Sequence, residues 1–244
     1  MSYLVILILA FVSGITTVIG VWLAICCKGN TKTIVTGIGF ATGIMLLISF
    51  FELIPEAIQT ISVTKALVTA TIGIVVVGTL NFIIPHAHFI KEKENSQKNL
   101  YKSAFLVAIG LILHDFPEGF AMANSYILSP NLGILVAVTI ALHNIPEEFA
   151  LATPIVAIKD NKFLYKAAFI SSLAEPAGAG LGLIGIAILP TLTPLFVSFA
   201  AGAMIFISLH ELIPFAKKFN QPTFLILGAI LSLIIFLILR LFFR

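Results

Sequence analysis

The chain has 244 residues, of which 59% are hydrophobic and only 10% charged, whereas charged residues make up about a quarter of ordinary soluble domains. That composition excludes a soluble globular domain and points to an integral membrane protein. The net charge of +3 does not make a nucleic-acid surface, because the basic residues lie in short clusters between apolar runs.

A bilayer span needs roughly 20 mostly apolar residues. Cutting the chain at its polar or Pro/Gly-rich breaks predicts eight spans, at about 3–26, 34–58, 66–85, 102–125, 131–157, 163–188, 194–216 and 222–242. The fold class is therefore all-α, a polytopic membrane protein forming one transmembrane domain over 1–244. The run from Tyr3 to Ile25 exceeds a signal-peptide core and lacks both a basic leader and a clear cleavage site, so it is read as a retained first span. Cys26 and Cys27, adjacent at the end of that span, form no disulfide framework and are read as packed or lipid-facing thiols. The one long polar connection, Lys91 to Asn99 within a loop at 86–101, is too short to be a domain. No GxxxxGK[ST] loop occurs, so ATP driving by this chain is not expected.

Eight spans put both termini on one side. Lys28, Lys32, Lys91, Lys93, Lys98, Lys102, Lys159, Lys162, Lys166, Lys217 and Lys218 all fall in alternate connections, with only Lys65, Arg240 and Arg244 on the other side. The positive-inside rule makes the larger group cytoplasmic and both termini outward.

An internal repeat organises these spans. Phe40-Ala41-Thr42-Gly43-Ile44-Met45, followed by Ser49 and Glu52-Leu53-Ile54-Pro55, matches Phe199-Ala200-Ala201-Gly202-Ala203-Met204, followed by Ser208 and Glu211-Leu212-Ile213-Pro214. Spans two and seven are five steps apart and so run in opposite directions. An inverted repeat of spans one to three onto six to eight follows, with four and five as the central pair. Such repeats, with broken or kinked helices at their interface, are a signature of secondary transporters.

The central pair carries a second repeat, His114-Asp115-Phe116-Pro117-Glu118 and His143-Asn144-Ile145-Pro146-Glu147. Residues four apart share a helix face, so each helix presents an imidazole with a carboxylate at membrane depth, where ionisable groups are rare and functional. Pro117 and Pro146 lack an N–H and free the carbonyls of Leu113 and Leu142. In span six Glu175 lies among Ala174, Ala177, Gly178 and Ala179, small residues that permit close approach to the central pair. Asp115, Glu118, Glu147 and Glu175 are enough carboxylates to neutralise two divalent cations, with His and Asn completing the shells. Imidazole with carboxylate suits zinc and other first-row metals better than calcium or magnesium. Glu148, about 100 degrees around the helix from Glu147, faces another helix or a water path, and its role stays open.

These motifs resemble those of the ZIP family of divalent metal transporters, in its prokaryotic GufA-like branch, over all eight spans. The most specific are His-Asp-Phe-Pro-Glu-Gly at 114–119, His-Asn-Ile-Pro-Glu at 143–147, Glu175, and His-Glu-Leu-Ile-Pro at 210–214. The resemblance implies outward termini, a 3+2+3 arrangement, elevator-like motion and a binuclear site that passes divalent metal into the cytoplasm. By position it implies one metal on His114, Glu118, His143 and Glu147. A second would sit on Asp115, Glu118, Asn144, Glu147 and Glu175, the glutamates bridging. Three positions depart from the family pattern: Asp115 where Asn is common, Glu148 where Gly is common, and Asn81 where an acidic residue often precedes Pro-His-x-His.

Auxiliary relay residues are expected at the two mouths: Glu52 outward, with His210, Glu211 and the His86–His88 pair inward. The cargo is expected to be Zn2+, with Fe2+, Mn2+, Co2+ and Cd2+ as other candidates, and no catalytic cofactor. Expected partners are metal ions and the lipid of the plasma membrane, with no nucleic acid and a homodimer left open. Two rivals are weighed. An intramembrane metal-dependent hydrolase or di-metal oxidase would need an open coordination position, and neither HExxH nor Glu-x-x-His is present. A proton-coupled carrier of organic solutes would not need the paired His-x-x-x-Glu.

Overall fold

The computed structural model describes residues 2–27, 29–83 and 97–243, and among these every regular element is helical. The helices stack end to end into eight rods. Rod one is α1 (Ser2–Cys26). Rod two joins α2 (Thr31–Ile48), a π-helical turn (Ser49–Leu53) and α3 (Ile54–Thr60). Rod three is α4 (Val63–Ile83) and rod four is α5 (Gln97–Leu128). Rod five is α6 (Pro130–Ala152) with a 3-10 extension (Thr153–Ile158). Rod six joins α7 (Asn161–Ser172) and α8 (Ala174–Ile188). Rod seven joins α9 (Thr193–Ile207), a second π-helical turn (Ser208–Leu212) and α10 (Ile213–Lys217). Rod eight is α11 (Pro222–Phe243). Seven rods are long and apolar enough to cross a bilayer, which makes this a multi-pass membrane protein.

The rods overlap the stretches expected as spans, with different bounds. The largest difference is in rod four, where α5 begins at Gln97 inside the expected loop. Gln97, Lys98 and Leu100 are good helix formers, and a helix satisfies its own backbone beyond the bilayer as well as inside it. His86, His88, Lys91 and Lys93 lie outside the described residues.

Caps and breakers set the rod ends. Asn30 caps α2 by accepting from the Thr33 N–H at 2.9 Å, and Asp160 caps α7 by accepting from the Phe163 N–H at 3.0 Å. Ser129 alone separates α5 from α6, its hydroxyl facing the Leu132 N–H with Pro130 in the first turn. So short a connection makes rods four and five antiparallel neighbours. Because Ser129 lies almost midway in sequence between His114 and His143, both imidazoles reach the same depth.

The two π-helical turns were not foreseen, yet the prolines after them explain both. Pro55 and Pro214 lack an N–H and would collide with a carbonyl four residues back. Widening the preceding turn relieves this: the Ile54 N–H reaches the Ser49 carbonyl, and the Ile213 N–H reaches Ser208. Such bulges often mark functional positions.

Packing follows the repeat residue by residue. Rod two lies along rod eight and rod three along rod seven, while rod one lies along rod five and rod six along rod four. Exchanging one with six, two with seven, three with eight and four with five turns each pair into the other. Gly43 nests against Ala229 and Ser232, and its mate Gly202 nests against Ala70, the mate of Ala229. Gly20 nests against the Ile145 carbonyl and Phe149 N–H, and its mate Gly178 against those of Phe116 and Phe120. A side chain at any of these glycines would meet backbone or a buried neighbour. Ile38, Ile44, Met45, Ile48 and Leu53 of rod two and Met204 and Ile207 of rod seven are fully buried, while rods one, three and eight expose large apolar side chains such as Leu4, Val75 and Leu241.

Candidate metal centre

All seven ligands expected at the centre are buried and come together where rods four, five and six meet: His114, Asp115, Glu118, His143, Asn144, Glu147 and Glu175. Helical spacing on α5 and α6 aims each His with its Glu across the same interface. The pairs then cross over. His114 Nε2 is 2.8 Å from Glu147 Oε1 and 3.5 Å from Glu118 Oε1, while His143 Nε2 is 3.0 Å from Glu118 Oε1. Ligand atoms of His114, His143 and Glu147 all lie within 4.8 Å of one another, close enough to share one ion.

One hydrogen bond fixes the chemistry of His143. Its Nδ1 lies 2.8 Å from the Thr139 carbonyl, which can only accept, so Nδ1 carries the proton. In the neutral imidazole Nε2 then presents a lone pair to Glu118, which also has only lone pairs. Two acceptors at 3.0 Å require a cation or a proton between them. Backbone orientation of the far nitrogen is the usual support of a metal-ligating His.

Span six completes the centre. Pro176 cannot continue α7, so the rod breaks at Leu173 and Glu175 falls in the first turn of α8. Its Oε1 accepts from Asn144 Nδ2 at 2.6 Å. Asp115 Oδ2 accepts from Ser171 Oγ at 3.2 Å, a partner the sequence reading missed because a serine in an apolar span carries no signal of its own. Glu118 Oε2 and Glu147 Oε2 make no hydrogen bond among the described residues. Buried carboxylate oxygens without donors are costly unless a cation fills the space between them.

The expected mouth residues lie apart from this centre. Glu52, on the π-helical turn of rod two, is ion-paired with Arg240 Nε at 2.7 Å. Glu211, on the matching turn of rod seven, accepts from Asn81 Nδ2 at 2.9 Å. Asn81 and Arg240 are themselves repeat mates, so the same contact recurs at the two ends with amide exchanged for guanidinium. His210 is exposed and stacks on Phe206 with ring centroids 4.4 Å apart.

Residues 84–238 match the family model described as ZIP zinc transporter. The chain belongs to the ZIP family. Among curated relatives, a protein named zinc transporter ZupT from Corynebacterium aurimucosum is 37% identical over 243 residues, covering 91% of each chain. Proteins of that name from Chlorobium limicola and an Enterobacter species are 37% and 36% identical, over 95% and 89% of this chain and 95% and 90% of their own. The ZIP match covers rods four to seven whole, and thus every residue expected at the centre.

Proposed function

We propose that this ZIP chain carries divalent metal ions, zinc foremost, across the plasma membrane into the cytoplasm by alternating access. The observation that carries the reading is the crossed pairing of His114 with Glu147 and His143 with Glu118, with carboxylate oxygens left without donors around it. One zinc sits on His114, Glu118, His143 and Glu147. A second sits on Asp115, Glu118, Asn144, Glu147 and Glu175, bridged by the glutamates. The relatives' names favour zinc as cargo and favour transport over the hydrolase reading.

Rods one to three and six to eight form the two inverted halves of a 3+2+3 arrangement, and rods four and five form the carrier pair between them. Both termini face outward, and movement of the ligand-bearing rods against rods two and seven presents the metal to each side in turn. Glu52 serves the outer mouth; His210 and Glu211 serve the inner one, with His86 and His88 beyond them.

Zinc flux into proteoliposomes tests this. Wild type should accumulate zinc, and His143→Ala and Glu147→Ala should fall to the rate of empty vesicles. Wild-type vesicles that bind zinc yet accumulate none would overturn the transport reading.

A further inference from the structure

Rod one carries none of the expected ligands, yet it reaches the centre. Its Gly14 nests against the Ser172 carbonyl of rod six, and a side chain there would meet that carbonyl. The spacing that pairs Gly20 with Gly178 also pairs Gly14 with Ser172, so the two residues in contact are repeat mates. Mates that touch lie on the axis that relates the two halves. Rods one and six therefore cross on that axis, and the residues just before the contact, Ser13 and Ser171, are mates that flank it. Both serines are buried, at 1% and 0% exposure.

Each serine meets its own carboxylate. Ser171 Oγ donates to Asp115 Oδ2 at 3.2 Å, and the Ser13 hydroxyl hydrogen-bonds the Glu175 carboxylate, whose Oε1 also accepts from Asn144 Nδ2 at 2.6 Å. A serine inside a helix ordinarily turns its hydroxyl back to a carbonyl of the preceding turn. Ser172 does so, donating to the Phe169 carbonyl at 2.8 Å. Ser13 and Ser171 instead give their single O–H to a carboxylate on another part of the centre. The ligand carboxylates thus fall into two classes, because the imidazoles pair with Glu118 and Glu147 while Asp115 and Glu175 are held by neutral hydroxyl and amide donors. A neutral donor fixes a carboxylate without cancelling its charge, and it takes only one of about four lone-pair sites. The others stay open to a metal.

We propose that Ser13 and Ser171 are positioning residues of the second metal place, one from each half, which hold Glu175 and Asp115 so that their free lone pairs meet the ion. This rests on the two-metal reading of the centre. The hydroxyls do not touch the ion and act only through the carboxylates, as outer partners do at other metal sites. Rod one, silent in the sequence, becomes part of the metal-binding unit.

The full chain, purified in detergent, is titrated with zinc against a chelator of known affinity. Wild type should take up two zinc ions, and Ser13→Ala and Ser171→Ala should each weaken one of them by about 10–100-fold and leave the other unchanged. Alanine keeps the helix and removes only the hydroxyl; should one variant not fold, the other carries the test. A double-mutant cycle separates positioning from packing. Made on top of Asp115→Ala, Ser171→Ala should cost nothing more, because the group it acts through is gone. Two zinc ions bound as tightly by the alanine variants as by wild type, or a Ser171→Ala loss that persists undiminished without Asp115, overturns the proposal and leaves the two-metal centre standing. Wild type that takes up fewer than two zinc ions overturns the two-metal reading, and this proposal with it.

Discussion

His143 is held at both ring nitrogens, by the Thr139 carbonyl at Nδ1 and by Glu118 at Nε2. Only the second can change partner, because the first is a backbone group one helical turn away. Binding of zinc at Nε2 therefore displaces a proton or excludes one, and acid must work against it. Acidification therefore favours the proton over the metal at this ligand. Zinc affinity should fall steadily as pH is lowered from about 7.5 to about 5.5, measured by competition with a chelator of known pH response; affinity that rises on acidification would count against His ligation. Glu118 touches both imidazoles, at 3.0 and 3.5 Å. Glu118→Gln keeps its volume and removes its charge. It should weaken zinc binding by at least about 100-fold, the upper end of what loss of a mere supporting partner costs. The same titration on the variant measures it.

At the scale of elements, the two π-helical turns carry a matched pair of contacts with different charge. Asn81 gives Glu211 a neutral donor, whereas Arg240 gives Glu52 a full positive charge. Glu52 thus already has a tethered cation, and in the proposed orientation an incoming metal must compete with it. Arg240→Asn, which copies the other end, should expose the charge of Glu52 and lower the zinc concentration for half-maximal uptake, while Glu52→Gln should abolish that gain; proteoliposome flux at graded zinc measures both. Unfolding should also register the change. Removing the guanidinium from a glutamate only 6% exposed costs roughly 1–3 kcal/mol, less to the extent that Arg240 is 30% exposed and solvated. The sequence revealed Glu52, Glu211 and the departure at Asn81, because they recur in register. It did not reveal Arg240 as a partner, since a basic residue near a span end reads first as a topology signal. Nor did it reveal the π-helical turns, which depend on where a proline's ring meets the previous turn rather than on apolar length. The clustering of the central His and Glu residues was legible because helical spacing alone puts His and Glu on one face. Glu148 was left open because its surroundings depend on which rod packs against that face, and chain order does not say.

For the whole molecule, the repeat makes the two ends of the bundle nearly equivalent in shape, so direction must come from charge. The rods have no strong preference of their own: Gly43 and Gly202, or Gly20 and Gly178, make the same contacts in both halves. Lysines break the tie. Lys217 and Lys218 are exposed at the end of rod seven, next to Asn220, whose positive φ of 51° turns the chain into α11. Ser62 is exposed at the opposite turn between rods two and three, beside Lys65. In the proposed orientation, cytoplasmic retention of the lysine-rich turns would put Asn220 inside and Ser62 outside. Cys26 and Cys27 are exposed thiols and would react in any labelling experiment, so both are first replaced by alanine. In that background Ser62→Cys should react with an impermeant maleimide on intact cells, and Asn220→Cys only after the membrane is opened. The reverse pattern would invert the bundle. The Glu52–Arg240 pair would then guard the cytoplasmic exit, and the Glu211–Asn81 contact would face the metal arriving from outside.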